Sequence, residues 1–291
     1  MPPYKGEVYA QCTAYFYAMK QFFSLLLPAM LLTAATAAAQ TIERTPVTIG
    51  TAISQQSKIL NQQRTLNIYT PADYDKHPDS TYPVIYLLDG AADEDFVHIT
   101  GLVQYLNMID VLPPSIVVGI ANVDRRHDLT APSKVPEDLK LVPTSGGSAA
   151  FMDYIEKEVE PQIQHSYRCN GHTTLIGQSL GGLFATEILL RRPQLFSDYI
   201  IISPSLWWSN EALLHEAPQL LSQHDYKGIR AYISVGAEGE QMENDAAGLI
   251  KILQSKTQAV VLPNPMPGEN HLTILHRSVY KAFEMLQAQK K

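Results

Sequence analysis

The sequence predicts an α/β fold: a mostly parallel central sheet with helices on both faces and an antiparallel N-terminal edge. Three observations predict it. Continuous apolar runs such as VIYLLDG (84–90) and SIVVGIANV (115–123) suit strands covered on both faces. From residue 172 onward, strand-like and helix-like stretches alternate four times, the pattern of a parallel sheet with crossover helices. The earlier RTLNIYTP (64–71) alternates like a half-buried strand, and no helix separates it from the next strand, which makes that edge antiparallel.

The first 39 residues differ in kind. From Met19 the chain reads MKQFFSLLLPAMLLTAATAAAQ: one lysine, an apolar run from Phe22 to Leu32, then small residues. This is the layout of a secretory signal cut after Ala39, and residues 1–18 precede a better start at Met19. The apolar run is short and interrupted by Pro28, so cleavage is expected and no stable membrane anchor after it. The expected location is periplasmic or secreted, with residues 40–291 as a single domain.

Removing residues 1–39 takes away Lys5, Lys20 and Glu7, shifting the net charge from −7 to −8. An acidic chain without basic clusters is a poor partner for nucleic acid or anionic membranes. Cys12 is lost with the leader, so Cys169 stands alone and cannot form an intramolecular disulfide. There is no zinc-like Cys/His spacing and no glycine-rich loop with a phosphate-binding lysine, so neither a metal nor an organic cofactor is expected.

In order, the turn-rich ADYDKHPDSTYP follows the first strand, and strand 84–90 leads to a helix over 96–109. Strand 115–123 enters a loop over 124–147 rich in charge, proline and glycine. AAFMDYIEKEVEPQIQHSY (149–167) reads as one amphipathic helix with Met152, Ile155 and Val159 near one face. Strand–helix pairs follow: HTTLIG with LGGLFATEILLRR, DYIIISP with NEALLHEAPQLLSQHD, RAYISVG with DAAGLIKILQS, and AVVLPN with HLTILHRSVYKAFEMLQ.

Gly177-Gln178-Ser179-Leu180-Gly181 matches G-x-S-x-G between a strand and a helix, the context of a nucleophile elbow. Gly177 and Gly181 give clearance around a strained turn, and Gly182 eases the first helical turn against the sheet. A serine hydroxyl needs a base and an orienting acid, in the chain order Ser, acid, His for this architecture. Five of the nine histidines precede Ser179, His215 and His224 come too early, and His276 falls inside the last helix. His271, in the bent PMPGENHLTI segment, is the candidate base. The acid should follow RAYISVG, where Glu238 and Glu240 compete and Asp245 serves as a helix cap. Two N–H donors are expected for an oxyanion: Leu180, and Gly90 or Ala91 after VIYLLDG.

Several segments together resemble the esterase D-like "putative esterase" family of α/β-hydrolases, and most of all its periplasmic enterobactin-type siderophore esterases. They are RTLNIYTPADYD, YPVIYLLDG, VVGIANVDRRHDLTAP, HTTLIGQSLGGLFATEILLRRPQLFSDYIIISPSLWW and PGENH, spanning residues 64–271. The resemblance implies Ser179 as nucleophile, His271 as base and an acid in GAEGE. That loop is one residue off the family's usual spacing, which leaves Glu238 and Glu240 both open. Gln178 stands where many relatives carry histidine. In such enzymes the loop after the third strand and SPSLWW line the pocket. Arg125, Arg126 and Asp128 either bind a polar substrate or form a structural ion pair, and Trp207 and Trp208 either stack on aryl groups or pack. The resemblance implies hydrolysis of a small-molecule or glycan ester through an acyl-enzyme: a siderophore lactone, or a feruloylated or acetylated carbohydrate. Acyl transfer and a non-catalytic binding module are the other readings.

Overall fold

The computed structural model of the protein describes residues 42–289. The expected signal segment, residues 1–39, lies outside the described residues. Residues 42–47 belong to an N-terminal unit, are exposed and carry no regular secondary structure; a compact unit begins at Thr48. Among the described residues, no helix is long and apolar enough to cross a membrane.

Among the described residues, eight strands form one sheet: β1 (Thr51–Gln56), β2 (Gln63–Tyr69), β3 (Tyr82–Leu87), β4 (Ile116–Ile120), β5 (Cys169–Gln178), β6 (Asp198–Ile202), β7 (Arg230–Gly236) and β8 (Val260–Met266). Their order is β1-β2-β4-β3-β5-β6-β7-β8. β2 is antiparallel to β1 and to β4, and every pairing from β4 to β8 is parallel. This is the α/β-hydrolase arrangement, with the antiparallel edge extended by β1. TAISQQ carries no apolar alternation and is largely exposed, which is why its pattern does not announce a strand.

The strands bury both faces by simple alternation. Val84, Tyr86 and Leu88 enter one core, Ile85 and Leu87 the other. The second core is closed by α1 (Phe96–Met108) and α9 (Ile274–Ala288), through Phe96, Ile99, Val103, Val279 and Phe283. On the opposite face lie α4 (Ser148–Tyr154), α5 (Glu160–Ser166), α6 (Leu180–Arg191), α7 (Trp208–Leu221) and α8 (Glu240–Lys256).

Local chemistry accounts for the departures from expectation. The single helix expected over 149–167 is α4 and α5 joined by a π-helical turn, Ile155–Val159. Pro161 follows that turn; proline lacks an N–H and its ring crowds the carbonyl four residues back, which a widened turn relieves. The 124–147 loop contains two short helices, α2 (Arg125–Asp128) and α3 (Pro136–Leu141). Asp124 caps α2 by accepting the His127 N–H at 3.0 Å. α7 opens through Ser209, Asn210 and Glu211, all at positive φ. Asp245 is not a cap: it lies buried within α8, after Gly239 has taken the N-cap position.

A buried ion pair pins the 124–147 loop to the sheet. Arg64 on β2 meets Asp128 at 2.8 Å, and its guanidinium sits 5.0 Å from the centre of the Phe151 ring. β8 closes the far edge with Pro263 and Pro265 in continuous register with β7. Proline is tolerated on such an edge because the N–H it lacks can fall on the outward side, where no neighbouring strand needs it.

Candidate active site

The strand order reverses at β3, which has β4 on one side and β5 on the other. The loops leaving the carboxyl ends of these strands splay apart there and open a crevice. Ser179 lies at that point, between β5 and α6, with φ 60° and ψ −120°. A non-glycine residue is strained in this region, so its neighbours must hold it there. Its N–H donates to the Ile202 carbonyl at 3.0 Å, and its carbonyl accepts from Leu183 and Ser205 at 2.9 and 3.1 Å. A Cβ on Gly177 would stand 2.3 Å from the Gly181 carbonyl oxygen, so the close approach requires glycine. Gly182 clears the end of β6, where a Cβ would lie 2.8 Å from the Ile202 oxygen. Gly181 is less constrained, its nearest neighbour being Asp89 Oδ2 at 3.3 Å.

His271 follows β8 in a bent segment ahead of α9, which starts at Ile274. Its Nδ1 is 2.5 Å from Glu238 Oε2. Glu238 follows β7, and its side chain is only 4% exposed. The other carboxylate oxygen accepts from Ser203 Oγ at 2.5 Å and from the Gly236 N–H at 3.0 Å. Of the two candidate acids, the structure brings only Glu238 to His271. Glu240 is exposed in the first turn of α8, where the helix dipole favours a carboxylate, and it stands apart from this hydrogen-bonded group.

Two cavities meet at Ser179 and His271. One, of about 590 Å³, is walled by Asp89, Glu94, Asp95, His98, Arg125 and His276. The other, of about 480 Å³, lies against Ser205, Trp207, Met242 and Asn270. Ser179 Oγ turns toward Ser205 Oγ at 3.4 Å. The first cavity is acidic: burial, then Asp89 and Glu94, push the Asp95 carboxyl up to about 6. Burial and the neighbouring His276 push the His98 imidazole down, their ring centres being 5.3 Å apart.

The expected pocket residues divide. Arg125 borders the first cavity and grips Asp89 with two hydrogen bonds of 2.7 and 2.8 Å. Arg126 faces away and donates to the Leu141 carbonyl at 3.0 Å, while Asp128 is committed to Arg64. Trp207 borders the second cavity. Trp208 does not: it is buried, and its indole N–H donates to the Ala131 carbonyl at 2.9 Å. The Gly90 N–H is spent on the Ile120 carbonyl at 3.0 Å, which removes it as an oxyanion donor. The Ala91 N–H instead holds the exposed Glu94 carboxylate at 3.2 Å, and Leu180 presents its N–H at the start of α6. Ser203 and Ser205 are legible only as part of SPSLWW and Asn270 only as part of PGENH, while Met242 carries no sequence signal, because these side chains reach the site only through folding. Among the described residues, no group of His, Cys, Asp or Glu is placed to hold a metal.

Comparison with known proteins bears on this geometry. The family model described as "Putative esterase" matches residues 57–272. Ferri-bacillibactin esterase BesA of Bacillus subtilis is 30% identical over 248 residues, covering 77% of this chain and 85% of its own length. Among solved structures, an IroE-like serine hydrolase from Shewanella oneidensis superposes with a TM-score of 0.76 at 26% identity, covering 83% of this chain and 81% of that one. The BES protein from Bacillus cereus gives 0.72 at 28% identity, covering 84% and 98%.

Proposed function

The chain belongs to the "Putative esterase" family and is an ester-hydrolysing enzyme, and from that premise we propose that it works as a serine esterase through an acyl-enzyme. The observation that carries the reading is Glu238 holding His271 Nδ1 at 2.5 Å while Ser179 shares both adjoining cavities with that imidazole. A carboxylate on Nδ1 keeps the proton there and leaves Nε2 free to take the Ser179 proton. Ser179 then attacks the ester carbonyl. The developing oxyanion is received by the N–H groups of Leu180 and Ala91, the latter once Glu94 withdraws. Protonated His271 releases the alcohol, and water, deprotonated by the same imidazole, clears the acyl group.

The substrate we propose is a siderophore ester, the class named for the Bacillus subtilis relative. Trp207 and Met242 in the second cavity support an aryl-bearing substrate. We further propose export, with residues 1–39 removed and the mature chain working outside the cytoplasm. An N-terminal sequence of the exported protein beginning at Gln40 supports this, and an intact Met1 sinks it.

The deciding experiment labels wild type and Ser179→Ala with a fluorophosphonate, beside hydrolysis of p-nitrophenyl acetate. Wild type alone should react. Equal labelling of both proteins overturns the nucleophile. A catecholate trilactone, tested against feruloyl and acetyl sugars with products followed by mass spectrometry, then reads the substrate class; preference for a sugar ester overturns the siderophore assignment.

A further inference from the structure

Gln178 precedes the nucleophile and lies half-buried in the wall of the first cavity. Its side-chain Nε2 donates to the main-chain carbonyl of His271 at 2.6 Å, a bond spanning 93 residues. Its own carbonyl accepts from Arg125 Nη2 at 3.4 Å, and that guanidinium is fixed by Asp89. The two ends of one residue therefore tie the elbow to the loop of the base and to the loop after β4.

The His271 segment has few other anchors on the serine side. The Glu269 carbonyl accepts from the Ala237 N–H at 2.7 Å, and Glu238 holds Nδ1; both come from the loop after β7. Asn270 Oδ1 accepts the Leu272 N–H at 2.9 Å, which shapes the turn without attaching it to a neighbour. Leu272, the next residue, is 91% exposed. Anchors on the acid side alone let the imidazole pivot about Nδ1, and such a pivot moves Nε2 toward or away from Ser179.

We propose that Gln178 is a positioning residue: its amide sets the separation of Nε2 and Ser179 Oγ by fastening the carbonyl of the base to the residue adjoining the nucleophile. This rests on the reading of Ser179 and His271 as nucleophile and base. Because Gln178 and Ser179 are consecutive, the tether runs from the nucleophile's own neighbour to the base through a single side chain, held at its far end by the 2.6 Å bond to the His271 carbonyl. Carbonyl tethering needs a donor. Glutamate of the same shape cannot supply one when ionised, and methionine supplies none at any pH.

The test compares Gln178→Glu and Gln178→Met with wild type in two measurements. The first is the steady-state kinetics of p-nitrophenyl acetate, with the rate of fluorophosphonate labelling. A misplacement on the order of 1 Å costs about a hundredfold, so kcat and the labelling rate should fall together by roughly 10- to 100-fold while KM stays within about twofold. The second is amide hydrogen exchange over 266–273, which reads the tether without turnover and should quicken in both variants while β5 and β6 keep their protection. Unchanged exchange over that segment, or kcat within about twofold of wild type in both folded variants, overturns the proposal. A wild type inert toward every ester overturns the reaction instead, and exchange alone then decides the tether.

Discussion

Replacing Glu238 by glutamine tests the role proposed for it as the acid. The carboxylate is enclosed by three donors: His271 Nδ1–H on one oxygen, Ser203 Oγ–H and the Gly236 N–H on the other. Glutamine has one oxygen, so it can satisfy only one side. If that oxygen stays with Ser203 and Gly236, the amide NH₂ faces Nδ1 and drives the ring proton to Nε2, the tautomer that cannot accept from serine. If the amide is turned round, its NH₂ faces the fixed Gly236 N–H, at a cost of about 1–3 kcal/mol for the buried mismatch. The first arrangement keeps two bonds against one and should dominate. We expect Glu238→Gln to lower kcat about a thousandfold, roughly 4 kcal/mol at 1.36 kcal/mol per decade. Glu240→Gln, exposed at the start of α8, should stay within about twofold. Both are read with p-nitrophenyl acetate at neutral pH, with circular dichroism to check folding. A Glu238→Gln enzyme keeping more than about a tenth of the wild-type rate refutes the reasoning.

Other expectations concern stability and follow from urea denaturation. Gly177→Ala should cost roughly 3 kcal/mol, because its Cβ meets backbone on the far side of the elbow; Gly248→Ala, which meets nothing within 4 Å, should gain about 0.5–1 kcal/mol. Asp245 is pushed up to about 6 by burial and then by Glu211. The folded state thus binds the proton more tightly than the unfolded chain, so the stabilisation is complete below about pH 4 and lost as the pH rises through about 6. Asp245→Asn should therefore stabilise by about 1–2 kcal/mol near pH 8 and by nothing near pH 4, and equal effects at both would refute the linkage. Arg64→Ala leaves Asp128 buried without its partner and should cost about 3–5 kcal/mol, whereas pairing Arg64→Met with Asp128→Asn should recover most of that.

Legibility in the sequence followed the range of the signal. The strands from β2 to β8 announce themselves through local patterns, an alternation in β2 and apolar runs in the others, and the elbow because its glycines and serine fall within five residues. The proposed base, His271, is reachable by chain order, which a fold of this class constrains tightly. The proposed acid is not: Glu238 and Glu240 sit two residues apart in an exposed-looking loop, and only the placement of Ser203 and Gly236 draws one inward. Gly90 and Ala91 are likewise adjacent, and which N–H is locked into the sheet depends on β4 supplying the Ile120 carbonyl, while the other meets only the exposed Glu94 carboxylate. Trp207 and Trp208 point to opposite fates for the same reason. Adjacent side chains at the end of a strand diverge, and composition says nothing about which one meets solvent.

The prolines of β8 have a consequence beyond the fold. A sheet ends in a row of unused donors and acceptors, and a second chain can add itself to that row. Pro263 and Pro265 are spaced two apart, so the donors they lack fall on the same rim. An incoming strand finds carbonyls there but two gaps where N–H groups should answer its own. Copies of the protein crowded together are thereby denied edge-to-edge growth at that end of the sheet; among the described residues the opposite rim is β1, whose largely polar TAISQQ side chains offer little apolar surface to fasten a newcomer.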